Sequence, residues 1–295
     1  MKNIIIFGAG EFGKDAYNFY QTIGNVNILA YSDNNTDIHN TAFFDIEIIP
    51  PSEIANLDYD EVAIASSFDD EIYQQLLDIN IDKEKINILN LNNIKVQLDG
   101  DKLLLAQELM FDLADIFNKK GITYHIDHGT LLGIIRDNSL MTWDIDVDFA
   151  CQSRDKDMIL EILNEFLSSY TSTYCTANNW KCSIHSCKIT LDKTQEQLPM
   201  VIKVFNETDD KTSNSFFVDI ELKYEHNSNL YWMVGSRKLS APKDICFPSS
   251  SIVFKNKKLK VPKETKQYLT LLYGDWTKVI KEWSYNQYTN IEVNL

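Results

Sequence analysis

The sequence predicts an α/β protein of two domains, a parallel-sheet domain over residues 1–97 and an α+β domain over residues 98–295. Three features predict it. Short apolar runs alternate with helical patterns through the first part of the chain, as βαβ units require. The stretch NLNNIKVQLDGDK then has the Asn, Asp and Gly content of a junction, with a boundary near residue 98. Beyond it, a long amphipathic helix leads into strands with polar residues at every second position. With 44% hydrophobic and 12% aromatic residues among 295, the chain can fill two cores.

In the first domain, KNIIIFGAGEFGKDAYNFY reads as a buried strand, a glycine turn and a helix beginning near Glu11. That context gives meaning to the Gly-x-Gly-x-x-Gly spacing of Gly8, Gly10 and Gly13, which allows a tight turn and close backbone approach to a phosphate at the helix N-terminus. Asp33 follows a second strand, NILAYSDN, at the place of a ribose-binding acid. EVAIASS and KINILN supply a third and a fourth strand around the helical DDEIYQQLLDIN. The arrangement is Rossmann-like. No Tyr-x-x-x-Lys or other hydride-transfer constellation follows, so redox catalysis is not expected. The same glycines also serve strand-to-helix packing, so ligand binding and a purely architectural role both stay open for this domain.

Charge and cysteine usage narrow the class further. The formal charge of −15 is uneven: the first hundred residues hold 17 acidic and 5 basic residues, whereas residues 236–295 hold 5 and 11. An acidic chain has no long-range attraction for nucleic acid, although its basic end could help to hold a phosphorylated substrate. Five cysteines are poor material for a disulfide framework. The spacing of Cys175, Cys182 and Cys187, with His185 among them, fits no standard zinc pattern, so strand and loop thiols are the default and zinc stays open. No run is long and apolar enough to span a bilayer, and the glycines come too early for a signal peptide, so a cytosolic place is expected.

In the second domain, Asp101 begins the helix DKLLLAQELMFDLADIFNKKG, which Gly121 ends. ITYHIDHG reads as a strand and TLLGIIRDN as a short helix. TWDIDVDFA reads as a strand with Asp144, Asp146 and Asp148 on one face. Carboxylates about 7 Å apart repel one another unless a cation neutralises them. They are hard oxygen ligands suited to Mg²⁺ or Mn²⁺, and such a metal binds nucleotide phosphates. A third carboxylate on a later strand completes such a site. The best candidate is Asp219 in SFFVDIELKY, with Glu221 on the same face.

A Gly-Thr turn and helix followed by Asp-x-Asp on the next strand resembles the nucleotidyltransferase-like fold. More specifically, GTLLGIIRDNSLMTWDIDVDFA resembles the central motif of the LicD family, phosphocholine transferases to which the fukutin-related ribitol-phosphate transferases are also similar. LKVPKETKQYLTLLYGDW resembles the closing motif of that family. The likeness covers roughly residues 101–285. The first domain lies outside it and, with its IIPPSEI turn, resembles small Rossmann-like N-terminal domains of bacterial glycan-biosynthesis enzymes. One departure is Ile145, where many members have an acid; another is His128, read as a hydrogen-bonded strand histidine.

The resemblance implies transfer of a phospho-alcohol from a CDP-activated donor to a sugar hydroxyl of a cell-surface glycan, in the bacterial cytosol or at the inner membrane face. Asp146, Asp148 and Asp219 are the expected metal ligands and catalytic residues, with Asp219 also the general base. Gly129, Thr130, Arg136 and Asp144 are the expected substrate-binding residues, Asp144 in a supporting place. A nucleotide or nucleotide-sugar is the expected ligand of Gly8, Gly10, Gly13 and Asp33. Tyr231, Trp232, Trp276 and Trp283 are aromatics that could cage a quaternary ammonium, or simply core residues. Two alternatives remain: a nucleotidyltransferase moving NMP from NTP to a sugar or small alcohol, and a non-catalytic nucleotide-sugar-binding component of a glycan-assembly complex.

Overall fold

The computed structural model describes residues 1–90, 98, 100–144, 146–175, 179–206, 217–280 and 285–292. The chain divides into two compact units, Met1–Val96 with Lys281–Tyr285, and Gln97–Ile280 with Asn286–Leu295. No described helix is long and apolar enough to cross a membrane.

The first unit follows from its run of consecutive apolar residues. Ile4, Ile5, Ile6 and Phe7 of β1 (Lys2–Phe7) are all buried, which a strand achieves only when both faces of its sheet are covered. Ile4 and Ile6 pack with Ala16 and Tyr20 of helix α1 (Glu11–Ile23), while Ile5 packs with Ile72 and Leu76 of helix α2 (Asp69–Asp78). β1 lies between β2 (Val26–Ser32) and β5 (Glu61–Ile64), parallel to both. β4 (Ile46–Ile49) continues the parallel sheet beyond β2, and β6 (Ile86–Ile88) continues it beyond β5. The short β3 (Ala42–Phe43), antiparallel to β4, closes one edge, and neither β3 nor β4 was anticipated from sequence. The sheet order is β3-β4-β2-β1-β5-β6, a Rossmann-like doubly wound arrangement.

The three glycines of the turn serve different ends. Gly8 sits at φ +112°, and a Cβ there would meet the carbonyl oxygen of Ala65 at 2.5 Å. A Cβ on Gly13 would stand 2.0 Å from the carbonyl oxygen of Gly8. Gly8 therefore lets the turn pass the end of β5, and Gly13 lets helix α1 approach that turn. Nothing stands within 4 Å of a Cβ on Gly10.

The second unit is built on an eight-stranded sheet that includes β7 (Tyr124–Ile126), β8 (Asp146–Gln152), β9 (Trp180–Leu191), β10 (Thr194–Asn206) and β11 (Phe217–His226). β8 runs parallel to β11, whose other edge takes β10, and β9 pairs with β10. The far half of β11 pairs with β12 (Asn229–Val234), followed by β13 (Arg237–Pro242) and β16 (Ile291–Glu292). β14 (Ser250–Phe254) and β15 (Lys257–Val261) form a separate hairpin.

Period-2 alternation gives this sheet two unlike faces. Val147, Val218 and Val204 are register partners, as are Phe149, Ile220 and Ile202, and all six are fully buried. The intervening rows carry Asp148, Asp219 and Lys203, and Ala150, Glu221 and Val201. The apolar rows form core together with helix α3 (Gly100–Lys120) and helix α5 (Lys156–Leu167), where Leu109, Met110, Leu113, Phe117 and Leu163 are fully buried. The polar rows carry the candidate site. Helix α4 (His128–Asp137) connects to them at the end of β7.

Gly13→Ala is expected to destabilise the first unit by about 1–3 kcal/mol through overpacking. Gly10→Ala is expected to stay within about 0.5 kcal/mol of the parent. Urea unfolding of the two variants checks the pair.

Candidate active site

β8 begins at Asp146, later than the expected strand, and Asp144 lies in the preceding turn. Ile145 is outside the described residues. Asp144 nevertheless joins the other two: one carboxylate oxygen from each of Asp144, Asp146 and Asp148 lies within 4.8 Å of the others. Its place depends on Gly129, because a Cβ there would stand 1.9 Å from Asp144 Oδ2. Gly133 allows the loop that carries Asp144 to fold back, since its Cβ would meet the Ser139 carbonyl at 2.6 Å. The glycines of the turn thus make room for the protein's own acid.

Thr130 ties the helix to the strand. Its buried hydroxyl accepts the backbone N–H of Asp148 at 2.9 Å and lies 3.5 Å from Asp148 Oδ2. The backbone N–H of Asp127 donates to the Asp148 carbonyl at 2.9 Å. Asp219 stands directly opposite Asp148 in the parallel pairing of β8 and β11. Its Oδ2 pairs with Lys203 at 3.3 Å, and its Oδ1 is buried without a hydrogen-bond partner.

Electrostatics reflect this crowding. Burial, reinforced by Asp146, Asp144 and Asp219, pushes the Asp148 carboxyl well above the usual range. Burial also raises Asp219, to about 6; Lys203 opposes the shift and Asp146 adds to it. The residues fit a hard divalent cation: an all-oxygen set, mutual repulsion, and a buried oxygen with no partner.

A second acidic group lies on the same sheet. Asp127, His128 and Glu221 also bring ligand atoms within 4.8 Å of one another, but this group holds its own cation. Lys223 Nζ lies 2.8 Å from Asp127 Oδ2 and 2.5 Å from Glu221 Oε2, with the Lys223 side chain 1% exposed. The ammonium also sits 3.5 Å from the centroid of the Trp232 ring. His128 Nε2 is 2.9 Å from Glu221 Oε2, and its Nδ1 is 2.7 Å from the Tyr288 hydroxyl. Tyr268 donates to Asp127 Oδ2 at 3.0 Å, and Tyr273 stacks near Tyr288 at 5.5 Å between centroids. Tyr268 and Tyr273 belong to helix α6 (Thr265–Tyr273), within the closing motif, which thereby reaches Asp127, two residues before the Gly-Thr turn.

His128 is not a strand residue. It is the first residue of α4, at φ +42°, with its N–H capped by Asp127 Oδ1 at 2.9 Å. Burial works against the charge on Asp127, yet Lys223 and His128 hold its carboxyl below the usual range. Likewise Glu221 is lowered against burial by His128 and Lys223. Burial would depress His128 and Lys223, but the two carboxylates raise both.

The remaining expected residues fall as follows. Arg136 makes a two-pronged pair with the neighbouring Asp137, at 2.9 and 2.7 Å. In the first unit, Asp33 Oδ2 accepts the Ala9 N–H at 2.8 Å and its Oδ1 accepts the Asn35 N–H at 2.8 Å, so the expected ribose acid also holds the glycine turn. Trp232 is committed to Lys223, and Trp283 lies outside the described residues. Asp127, Lys223, Tyr268 and Tyr288 were not singled out from sequence. A Lys among alternating apolar residues in VDIELKY was the available signal for Lys223. Nothing in the sequence marks Tyr288.

With this geometry in place, comparison with known proteins becomes informative. Residues 121–264 match the family described as LicD/FKTN/FKRP, nucleotidyltransferase domain. The match lies within the second unit. Residues 1–87 match the family described as C2185-like, N-terminal. The uncharacterized protein RP689 of Rickettsia prowazekii (strain Madrid E) is 34% identical over 86 residues, 29% of this chain and 32% of that protein. The match therefore spans about a third of that relative's length. Among solved structures, lincomycin-bound lincosamide antibiotic adenylyltransferase LnuA aligns at 14% identity over 55% of this chain and 83% of its own, with a TM-score of 0.34. UDP-D-quinovosamine 4-dehydrogenase from Vibrio fischeri aligns at 21% identity over 30% of this chain and 75% of its own, with a TM-score of 0.25. Residues 121–264 are thus similar to a family of phospho-alcohol or nucleotidyl transferases.

The lowered Asp127 carboxyl contributes stability that is fully present above its unfolded value of about 4 and is lost as pH falls through its lower folded value. Asp127→Asn leaves Lys223 with one fewer counter-charge, and is expected to cost about 3 kcal/mol at pH 7. The loss is expected to shrink between about pH 4 and pH 2. Urea unfolding of both proteins across that range measures it.

Proposed function

We propose that the second unit transfers a phospho-alcohol, phosphocholine or a similar group, from a CDP-activated donor to a sugar hydroxyl of a cell-surface glycan, with Mg²⁺ or Mn²⁺ as cofactor. The observation that carries this reading is the gathering of Asp144, Asp146 and Asp148 within 4.8 Å, with Asp219 beside Asp148 in register. Such an arrangement costs stability in a protein that has no positive ligand to place there.

Asp146, Asp148 and Asp219 would hold the metal, which when bound neutralises the donor phosphates and the charge on the departing CMP. Asp144 joins them or orients the donor from the turn held open by Gly129. Thr130 fixes the Asp148 backbone, and so sets where its carboxylate points. Arg136 contacts the donor phosphate, sharing its fork with Asp137. Asp219 takes the proton of the acceptor hydroxyl; the hydroxyl oxygen then bonds to phosphorus as the bond to CMP breaks, giving a phosphodiester. In the first unit, the open space at Gly10 supports a nucleotide or nucleotide-sugar held by Gly8, Gly10, Gly13 and Asp33.

Asp146→Asn and Asp148→Asn are each expected to lower CMP release by about 10³-fold, the equivalent of several kcal/mol of lost charge stabilisation, with thermal unfolding retained. Incubating the parent with CDP-choline, CDP-ribitol, CDP-glycerol and CDP-ethanolamine identifies the donor. Pyrophosphate release from an NTP, with no CMP from any CDP-alcohol, would mark a nucleotidyltransferase instead.

A further inference from the structure

The polar face of the second sheet continues beyond the carboxylates. Asp148 on β8, Asp219 on β11, Lys203 on β10 and Ser183 on β9 are direct register partners, so they form one row across four strands. Residues paired in this way stand on the same face, about 4.8 Å apart from strand to strand. Ser183 Oγ lies 3.1 Å from His185 Nε2, which extends the row along β9. Ser183 is partly exposed and His185 exposed. The result is a solvent-facing ledge of a hydroxyl, an imidazole and an ammonium, with the carboxylate group at its inner end.

The two lysines on this face differ in kind. Lys223 is 1% exposed, wedged between two carboxylates and an indole, and is structural. Lys203 is 27% exposed and meets Asp219 at 3.3 Å, at the rim of the carboxylate group. Its charge reaches along the ledge as well, adding to burial in depressing the His185 imidazole. A diphosphate approaching Asp144, Asp146, Asp148 and Asp219 meets four carboxylates, and a flexible ammonium on an exposed stem beside them is the kind of group that offsets this repulsion.

We propose that Lys203 binds substrate phosphate in this site, its ammonium exchanging Asp219 Oδ2 for an oxygen of the donor diphosphate, with Ser183 and His185 forming the ledge beneath the same ligand. The inference rests on the reading that the second unit uses a nucleoside-diphosphate donor, but it concerns the phosphates and not the alcohol.

Calorimetric titration with CDP, pyrophosphate and cytidine in the presence of Mg²⁺ tests it on the parent, Lys203→Met and Lys203→Arg. Lys203→Met is expected to weaken CDP and pyrophosphate about tenfold to hundredfold, the range of one charge-assisted hydrogen bond, and to leave cytidine unchanged. Lys203→Arg is expected to restore most of the loss, and thermal unfolding of both variants to match the parent. Equal binding of CDP and pyrophosphate by the parent and Lys203→Met overturns the proposal while leaving the transfer reading intact. Binding of pyrophosphate but not CDP by the parent, weakened by Lys203→Met, overturns the CDP-donor reading and supports Lys203. A parent that binds none of the three overturns both.

Discussion

The buried ammonium of Lys223 is the interaction on which the second unit depends. Two acidic groups occupy one face of one sheet, and taking carboxylates out of water is expensive unless their charge is matched. Lys223 and His128 match Asp127 and Glu221 from within, and the Trp232 ring closes over the ammonium. The second group, Asp144, Asp146, Asp148 and Asp219, has Lys203 at its rim. The contrast separates a structural network from a candidate active site, although both consist of the same residue types and one strand, β11, contributes to each.

The first network positions the second group. Asp127 caps α4 through the His128 N–H, its own N–H bonds the Asp148 carbonyl, and Thr130, one helical step on, receives the Asp148 N–H. Tyr268 and Tyr288 brace Asp127 and His128 from the end of the domain. The closing motif, far from the aspartates in sequence, is linked to Asp148 through Asp127, by the Tyr268 hydroxyl and the Asp127 N–H. Its part in the site is to hold the turn from which the carboxylates are aimed.

Much of this was legible in the sequence, for physical reasons. A run such as IIIF ahead of a glycine turn reads as a strand covered on both faces, and period-2 alternation in DVDFA and VDIELKY fixes which side chains share a face. The expectation of a third carboxylate on a later strand singled out Asp219, and the structure pairs it with Asp148. Period-2 logic misplaced Asp144, because a carboxylate two residues before a strand can reach the same point from a turn, and the room for it comes from Gly129, not from the pleat. It missed Asp127, Lys223 and Tyr288 because their roles depend on long-range pairing, which has no local period. It read His128 as a strand residue because the positive φ that starts α4 is rare for histidine and leaves no pattern.

The central claim is that one acidic group carries its counter-charge internally and the other takes it from outside. Titration with Mn²⁺ at pH 7.5, followed by the electron paramagnetic resonance signal of the free ion, tests it on the parent, Asp148→Asn and Glu221→Gln. Saturable Mn²⁺ binding is expected in the parent, lost in Asp148→Asn and kept in folded Glu221→Gln. Binding that survives in Asp148→Asn and disappears in Glu221→Gln would place the ion at Lys223's group and contradict it.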